Sequence, residues 1–290
     1  MLTKSVIVEQ LYNLGIGKND VVLIRADLVN IGRIEGGASG FIDALLDKVG
    51  EGGTIISLAF TKGCLFIKKP KIENAFEISK KSYAGALPNA MLRHPNALRS
   101  KHLMCSYVAI GKYASYLTAD HDENYPAYEP IRKLIDLEGK CVLIGCVKSS
   151  PGFTTTHLIE SDLGLLKLNV FPSLNRVYYK SAAEEYKIFK RKDPGLCSNS
   201  YYKFYSNYVN EGILQTGRIG KAYSIIVPAK ESYRIEKQIL ALDYKFNICD
   251  SPDCFVCNIM RWDRLHKIPL FVVRKIIKKL FLMFKFASKS

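Results

Sequence analysis

The chain has 290 residues, 48% of them hydrophobic, enough for one large α/β domain or two small ones, which excludes a largely disordered protein. Its 42 Lys and Arg against 27 Asp and Glu leave a formal charge of +15, which draws anionic partners such as nucleic acid, a lipid surface or a phosphate-bearing small molecule. Ten of those basic residues lie between Lys245 and Ser290 against three Asp, so the body is only mildly basic and no nucleic-acid partner is expected.

Met1 to Gly17 carries Lys4 and Glu9 without an uninterrupted apolar run, and the expected location is the cytoplasm. The eight cysteines are scattered, several of them in apolar runs, which fits reduced buried thiols. Asp20 to Ala26 (DVVLIRA) is apolar without alternation, as expected of a strand covered on both faces. Gly36-Gly37-Ala38-Ser39-Gly40 follows. Phe41, Ile42, Leu45, Leu46 and Val49 then recur at helical spacing up to Gly50, and Gly53 to Phe60 reads as the next strand. Strand, glycine-rich loop, helix and strand in that order predict a largely parallel or mixed α/β sheet.

Lys62 to Ser82 is lysine-rich and reads as a surface excursion. Ala84 to Arg93 is a predicted helix, and Leu103 to Ile110 and Lys140 to Val147 are predicted strands. Beyond Lys140 to Val147, Ser149 to Phe153 forms a turn, and Thr154 or Thr155 can cap a helix bearing His157 and Glu160. Arg218 to Val227 adds a strand and Glu231 to Leu242 a helix. The economical division is one domain over 1–244 and a cysteine-containing basic extension over 245–290.

The strongest chemical signal is TTTHLIE, Thr154 to Glu160, just past a buried strand, where open α/β sheets bind ligands. Imidazole accepts a proton near neutral pH, and a carboxylate three residues on can orient it. The bland alternative is an ordinary His–Glu pair on a capped surface helix. The Gly36-Gly37 loop offers amides to a phosphate, but its spacing fits neither a dinucleotide fingerprint nor a P-loop, and a plain tight turn serves equally well.

Four collinear pieces carry a wider likeness. They are DVVLIRADLVNIGRIEGGASGFIDALLDKVGEGGTIISLAFT (Asp20 to Thr61), GALPNAMLRHPNALRSKHLMCSYVAIG (Gly85 to Gly111), LEGKCVLIGC leading to TTTHLIE, and NEGILQTGRIGKAYSIIV (Asn210 to Val227). In that order and spacing the chain resembles the aminoglycoside 3-N-acetyltransferase family. The resemblance implies a three-layer α/β/α sandwich, acetyl-CoA as co-substrate, direct transfer to an amine and no metal. It implies His157 as the base that takes the amine proton, Glu160 as its support, and Thr154 and Thr155 as oxyanion donors. It also implies CoA contacts near Arg25, Gly36, Gly37 and Ser106.

Two departures stand against the family pattern. Arg25-Ala26-Asp27 replaces a histidine-serine-serine, so two hydroxyls are missing; Arg25 can pair with a phosphate only if Asp27 turns away. Cys105 stands where the family often has a second histidine, while His102 keeps the first. An acyl-cysteine at Cys105 or Cys146 is a rival mechanism. The basic charge favours, as acceptor, an amino sugar on a nucleotide or lipid pyrophosphate in surface-glycan synthesis. The alternatives are an aminoglycoside acetylated in antibiotic resistance, or a non-catalytic, membrane-associated binding relative.

Two tail features complete the reading. Cys249, Cys254 and Cys257 with His266 have the donors for a tetrahedral zinc, but the spacing is not a paired CxxC; free thiols are the preferred reading and no metal is expected. Residues 268–286 (IPLFVVRKIIKKLFLMFKF) are too interrupted by charge to span a bilayer. A helix lying on the anionic inner membrane face, or one packed on the domain or on a second copy in a homo-oligomer, both fit.

Overall fold

The computed structural model describes residues 1–65, 68–171, 175–181, 183–193 and 195–287, with the side chains of 282 and 284–287 set aside. In chain order the elements are α1 (Lys4–Asn13), β1 (Val21–Ala26), α2 (Leu28–Ile31), α3 (Gly37–Val49), β2 (Thr54–Leu58), β3 (Cys64–Leu65), α4 (Ala86–Met91) and β4 (Leu98–Arg99). There follow β5 (Tyr107–Gly111), α5 (Ala114–Thr118), α6 (Glu129–Asp136), β6 (Lys140–Ile144), α7 (Thr155–Asp162), β7 (Asn175–Lys180) and β8 (Tyr186–Lys190). The chain closes with α8 (Tyr205–Asn210), β9 (Gln215–Ile219), β10 (Ala222–Pro228), α9 (Ala229–Leu242), α10 (Phe255–Ile259) and α11 (Ile268–Ala287).

Seven strands form the central sheet in the order β4-β5-β2-β1-β6-β10-β9. Only its centre is parallel: β1 pairs with β2 and β6 in parallel, and every other pairing is antiparallel. The sheet is therefore mixed. Its apolar runs have a direct cause in β1, where Val22 and Ile24 face one core while Val21 and Leu23 face the other. A strand buried on both faces has no polar side to alternate with. Helices α1, α3 and α4 cover the first face, and α5 to α9 the second, which gives the three layers expected.

The predicted strands are shorter than expected, β2 by three residues and β6 by three, and two others differ further. Leu103 to Ile110 is a regular strand only from Tyr107, because the buried His102 ring curls the chain before it by accepting the amides of Met104 and Cys105 through Nδ1, at 3.2 and 2.9 Å. Arg218 to Val227 is a hairpin, β9 and β10, turning at Gly220, whose φ of 57° suits glycine. Sequence reading also misses the small second sheet, β3-β7-β8. It covers the Lys62 to Ser82 excursion, where Phe76 is buried and its amide bonds Tyr178 O at 2.7 Å. Beyond its last strand the chain passes over α7.

Candidate active site

The loop from β6 to α7 is fixed from below. Arg25, at the end of β1, donates to Ser150 O at 2.7 Å and Gly152 O at 2.8 Å. Gly152 sits at φ 74° with its missing Cβ position 2.0 Å from Tyr201 Cβ, so no other residue fits, and its amide donates to the Tyr205 hydroxyl at 2.7 Å. These ties set where α7 begins. The predicted threonine cap does not form: Thr154 makes no cap bond, and the Thr155 hydroxyl, fully buried, donates to Glu236 at 2.9 Å.

One helical turn on, His157 and Glu160 share a face, as i and i+3 must. His157 Nδ1 lies 2.9 Å from Glu160 Oε2. Glu160 is wholly buried, and its carboxylate also accepts from the Leu196 amide at 3.0 Å, the Tyr201 hydroxyl at 2.7 Å and Asn247 Nδ2 at 2.7 Å. Four donors satisfy both oxygens, which is what lets a carboxylate stay charged out of water. An ionised carboxylate only accepts, so Nδ1 carries the imidazole proton and Nε2 keeps the lone pair. Nε2 has no hydrogen bond among the described residues, and the side chain is 17% exposed.

Aromatic packing holds the ring's plane. Tyr128 stacks on His157 at 4.8 Å and 17°, and Tyr201 meets it edge-on at 5.1 Å. Gly195 closes the third side: a Cβ there would lie 2.5 Å from His157 Nδ1 and 2.8 Å from the Tyr128 hydroxyl. Tyr128 accepts from Arg191 at 2.9 Å, and burial pushes its phenol up, so it stays neutral. Asp193 accepts the Ala127 amide at 2.6 Å, tying the two walls together.

The expected CoA residues are not brought together. Arg25 is spent on the loop carbonyls, while Asp27 has turned away to cap α2, accepting from Val29 N at 3.1 Å. The Ser106 hydroxyl is wholly buried, donating to Ala59 O at 2.7 Å and accepting from Arg99 Nε at 3.0 Å. It anchors Arg99 inside the domain. Gly36 and Gly37 open α3 with φ of 70° and 60°, on the layer opposite α7, and Gly37 N is already bonded to Ile34 O at 3.0 Å. A cavity of about 570 Å³ does lie beyond the ends of β1 and β6, lined by Asn30, Gly145, Lys148, Ser149, Lys221 and Tyr223 among others.

The cysteine rival is weakened by burial, which pushes the Cys105 thiol up to about 11 and raises Cys146 as well, so neither is a thiolate at neutral pH. His102 and His121 stack at 4.9 Å, and burial lowers them to about 4 and about 3, so both stay neutral. In the tail, Cys249, Cys254 and Cys257 gather with Cys197, while His266 is exposed and outside the group. Tyr128, Tyr201, Asn247, Gly195 and the Leu196 amide escape sequence reading. The tyrosines at 125 and 128 and at 201, 202 and 205 are the one visible hint.

Fold and site together define a three-layer α/β protein with a carboxylate-backed histidine whose outer nitrogen is free. Comparison narrows this. The family model described as aminoglycoside 3-N-acetyltransferase matches residues 23–241, and the chain belongs to that family. The aminoglycoside N(3)-acetyltransferase VII of Streptomyces paromomycinus is 30% identical over 160 residues, covering 50% of this chain and 56% of that protein. The type III enzyme of Salmonella sp. is 29% identical over 177 residues, covering 56% and 61%. The chain thus spans less than two thirds of the length of these curated relatives. Among solved structures, aminoglycoside acetyltransferase AAC(3)-IVa in complex with a gentamicin has a TM-score of 0.75 at 19% identity, covering 89% of this chain and 96% of that one. AAC-IIIb binary with CoASH has a TM-score of 0.66 at 22% identity, covering 86% and 99%. These likenesses show the fold.

Proposed function

We propose that the protein moves an acetyl group from acetyl-CoA to an amine of an aminoglycoside or a closely related amino sugar, with His157 as the base. The carrying observation is the His157–Glu160 pair, its proton held on Nδ1 and its Nε2 free. Acetyl-CoA brings the acetyl group as a thioester, and the C–S bond breaks as the amine nitrogen forms the new amide bond. Nε2 takes the proton the amine sheds, Glu160 stabilises the imidazolium that results, and that proton passes on to the departing CoA sulfur, which leaves as the free thiol. Tyr128 and Tyr201 keep the ring from turning. Thr154 is left as the oxyanion donor, since the Thr155 hydroxyl is committed to Glu236.

For the CoA phosphates, the cavity past β1 and β6 fits better than the residues first expected, because Lys148 and Lys221 line it. The acceptor reading follows the relatives and one local feature. The loop that carries Tyr128 over His157 bears Asp122 and Glu123, acidic groups suited to a polycation. Surface-glycan synthesis, favoured by charge alone, takes second place because about half of that charge lies in the tail.

Among the described residues no helix is long and apolar enough to cross a membrane. α11 exposes Val272, Val273, Ile276, Ile277, Leu280 and Met283 on one side, while Arg274, Lys275, Lys278 and Lys279 cluster within about 140° at 100° per residue. That division suits a helix lying on an anionic surface.

Thiol release from acetyl-CoA, screened over aminoglycosides and nucleotide-linked amino sugars, tests the acceptor. Turnover with aminoglycosides is expected. Turnover confined to the nucleotide sugars reinstates the glycan reading, and calorimetry without acetyl-CoA binding leaves a non-catalytic relative.

A further inference from the structure

The tail cysteines and the active-site walls meet at one point. Cys197, Cys249, Cys254 and Cys257 place their sulfurs all within 4.8 Å of one another, and Cys254 Sγ lies 3.5 Å from Cys197 Sγ. A tetrahedral tetrathiolate zinc with Zn–S near 2.3 Å needs sulfurs about 3.8 Å apart, so this cluster is already at the right size. Its surroundings suit a metal better than an apolar core. The satellite cluster consists of the four cysteines with Ile248 and Val256, little hydrocarbon for a local core of its own at roughly 0.8 kcal/mol per buried CH₂.

The local geometry points the same way. Cys254 caps α10 with its sulfur, accepting the Cys257 amide at 3.4 Å, an N–H to S bond that favours the thiolate form a metal requires. Four thiolates around a divalent ion leave a double negative charge. A cavity of about 430 Å³ beside Cys249 is lined by Lys203, Lys245, Arg264, Lys267 and Arg274, which offset it.

We infer that Cys197, Cys249, Cys254 and Cys257 bind one structural zinc ion, which ties the C-terminal extension to the domain body. Sequence spacing hid this site because its fourth ligand is not the nearby His266 but Cys197, far upstream. The tie has a consequence at the dyad. Leu196, next to Cys197, and Asn247, two residues before Cys249, each donate to Glu160. Zinc therefore closes a loop of chain around the carboxylate that orients His157; that last clause rests on the proposed function, whereas the metal site does not.

Elemental analysis of the purified full-length chain is expected to find about one zinc per chain. Replacing the zinc with cobalt is expected to give the intense visible bands of tetrahedral thiolate coordination. Cys254→Ser combined with Cys257→Ser should reduce zinc to background, whereas Cys64→Ser, remote from the cluster, should leave it unchanged. If the double variant does not fold, native-state thiol titration of the unaltered chain decides: zinc-loaded cysteines resist the reagent until a chelator is added. Metal-free protein with all four thiols reactive, a disulfide within the cluster, or iron in place of zinc each overturns the proposal. For the link to the dyad, turnover should fall in step with zinc released and return when zinc is restored. Turnover unmoved by complete zinc loss would leave the ion as a staple without influence on Glu160, and would not touch the metal assignment.

Discussion

Helices α7 and α11 solve opposite problems with similar material. α7 is eight residues long and its working polar groups are tied to named partners: Thr155 to Glu236, His157 to Glu160, Glu160 to four donors. α11 is twenty residues long, exposes a row of aliphatic side chains, and meets the rest of the extension through Phe271 edge-on to Phe255 at 6.4 Å and through Asp253 pairing with Lys275 and Lys278 at 3.0 Å each. Exposed ion pairs of this kind contribute little. One helix works through the placement of single atoms, the other through area and summed charge. Point changes should therefore be ruinous on the first and almost silent on the second.

The largest expected effect is at His157. His157→Ala should lower turnover by roughly two to four orders of magnitude, the usual worth of a positioned base, with acetyl-CoA affinity measured by calorimetry nearly unchanged. Turnover within about threefold of the parent would mean another group takes the proton. Gly195→Ala comes next, because a methyl aimed at the His157 ring must displace either the ring or Tyr128. A misplacement on the order of 1 Å can cost about a hundredfold, so turnover should fall by about 10- to 100-fold while far-UV circular dichroism is preserved. An unaffected variant would show that the walls around the dyad yield freely, and the contrast with α11 would dissolve.

Deleting residues 268–290 probes the other side. Turnover should stay within about twofold, while co-sedimentation with anionic vesicles is lost. Each basic residue near such a surface contributes about 1 kcal/mol, screened by salt, so the full chain should also detach as salt is raised. If the full chain ignores vesicles yet drops from oligomer to monomer on truncation, α11 is a subunit contact.

How much of this was legible follows the same division. His157 and Glu160 lie within one heptapeptide, and a three-residue step on a helix announces a shared face. The buried runs of β1, β2 and β6 announce themselves through composition. By contrast, Tyr201, Asn247 and Leu196 converge on Glu160 from distant parts of the chain, and nothing in their local sequence marks the meeting. β7 and β8 are hard to read because the apolar residues that face the core, Val177, Tyr179 and Phe189, are few and interspersed with Arg176, Lys180, Lys187 and Lys190. Ser106 shows the same limit: a hydroxyl in a recognisable segment can serve a ligand or a neighbouring arginine, and its bonds to Arg99 and Ala59 are visible only in the fold.

The smallest expected effect lies under α7, where packing and pH meet. Glu236 of α9 is wholly buried, accepting from Thr155 at 2.9 Å and from the Tyr208 hydroxyl. Burial raises its carboxyl from 4.5 to about 8, although the bonds from Tyr208 and Thr155 pull the other way. The folded state then keeps a proton that the unfolded chain sheds, so this contribution to stability is complete below pH 4.5 and is lost as pH rises through about 8. His102 and His121 act with the opposite sign. Neutral when folded, they contribute above the unfolded value of 6.5, and that contribution is lost as pH falls through about 4 and about 3. Between pH 6.5 and 8 only Glu236 among these three changes the balance. Unfolding free energies from urea titrations across that window should fall in the parent, by on the order of 1 kcal/mol per pH unit, and hold level in Glu236→Gln. Turnover at pH 7 should change little, since Glu236 touches Thr155 and not the dyad. A parent whose stability is flat across the window would mean that Glu236 ionises in place, and that the ground beneath α7 tolerates a charge that its burial argues against.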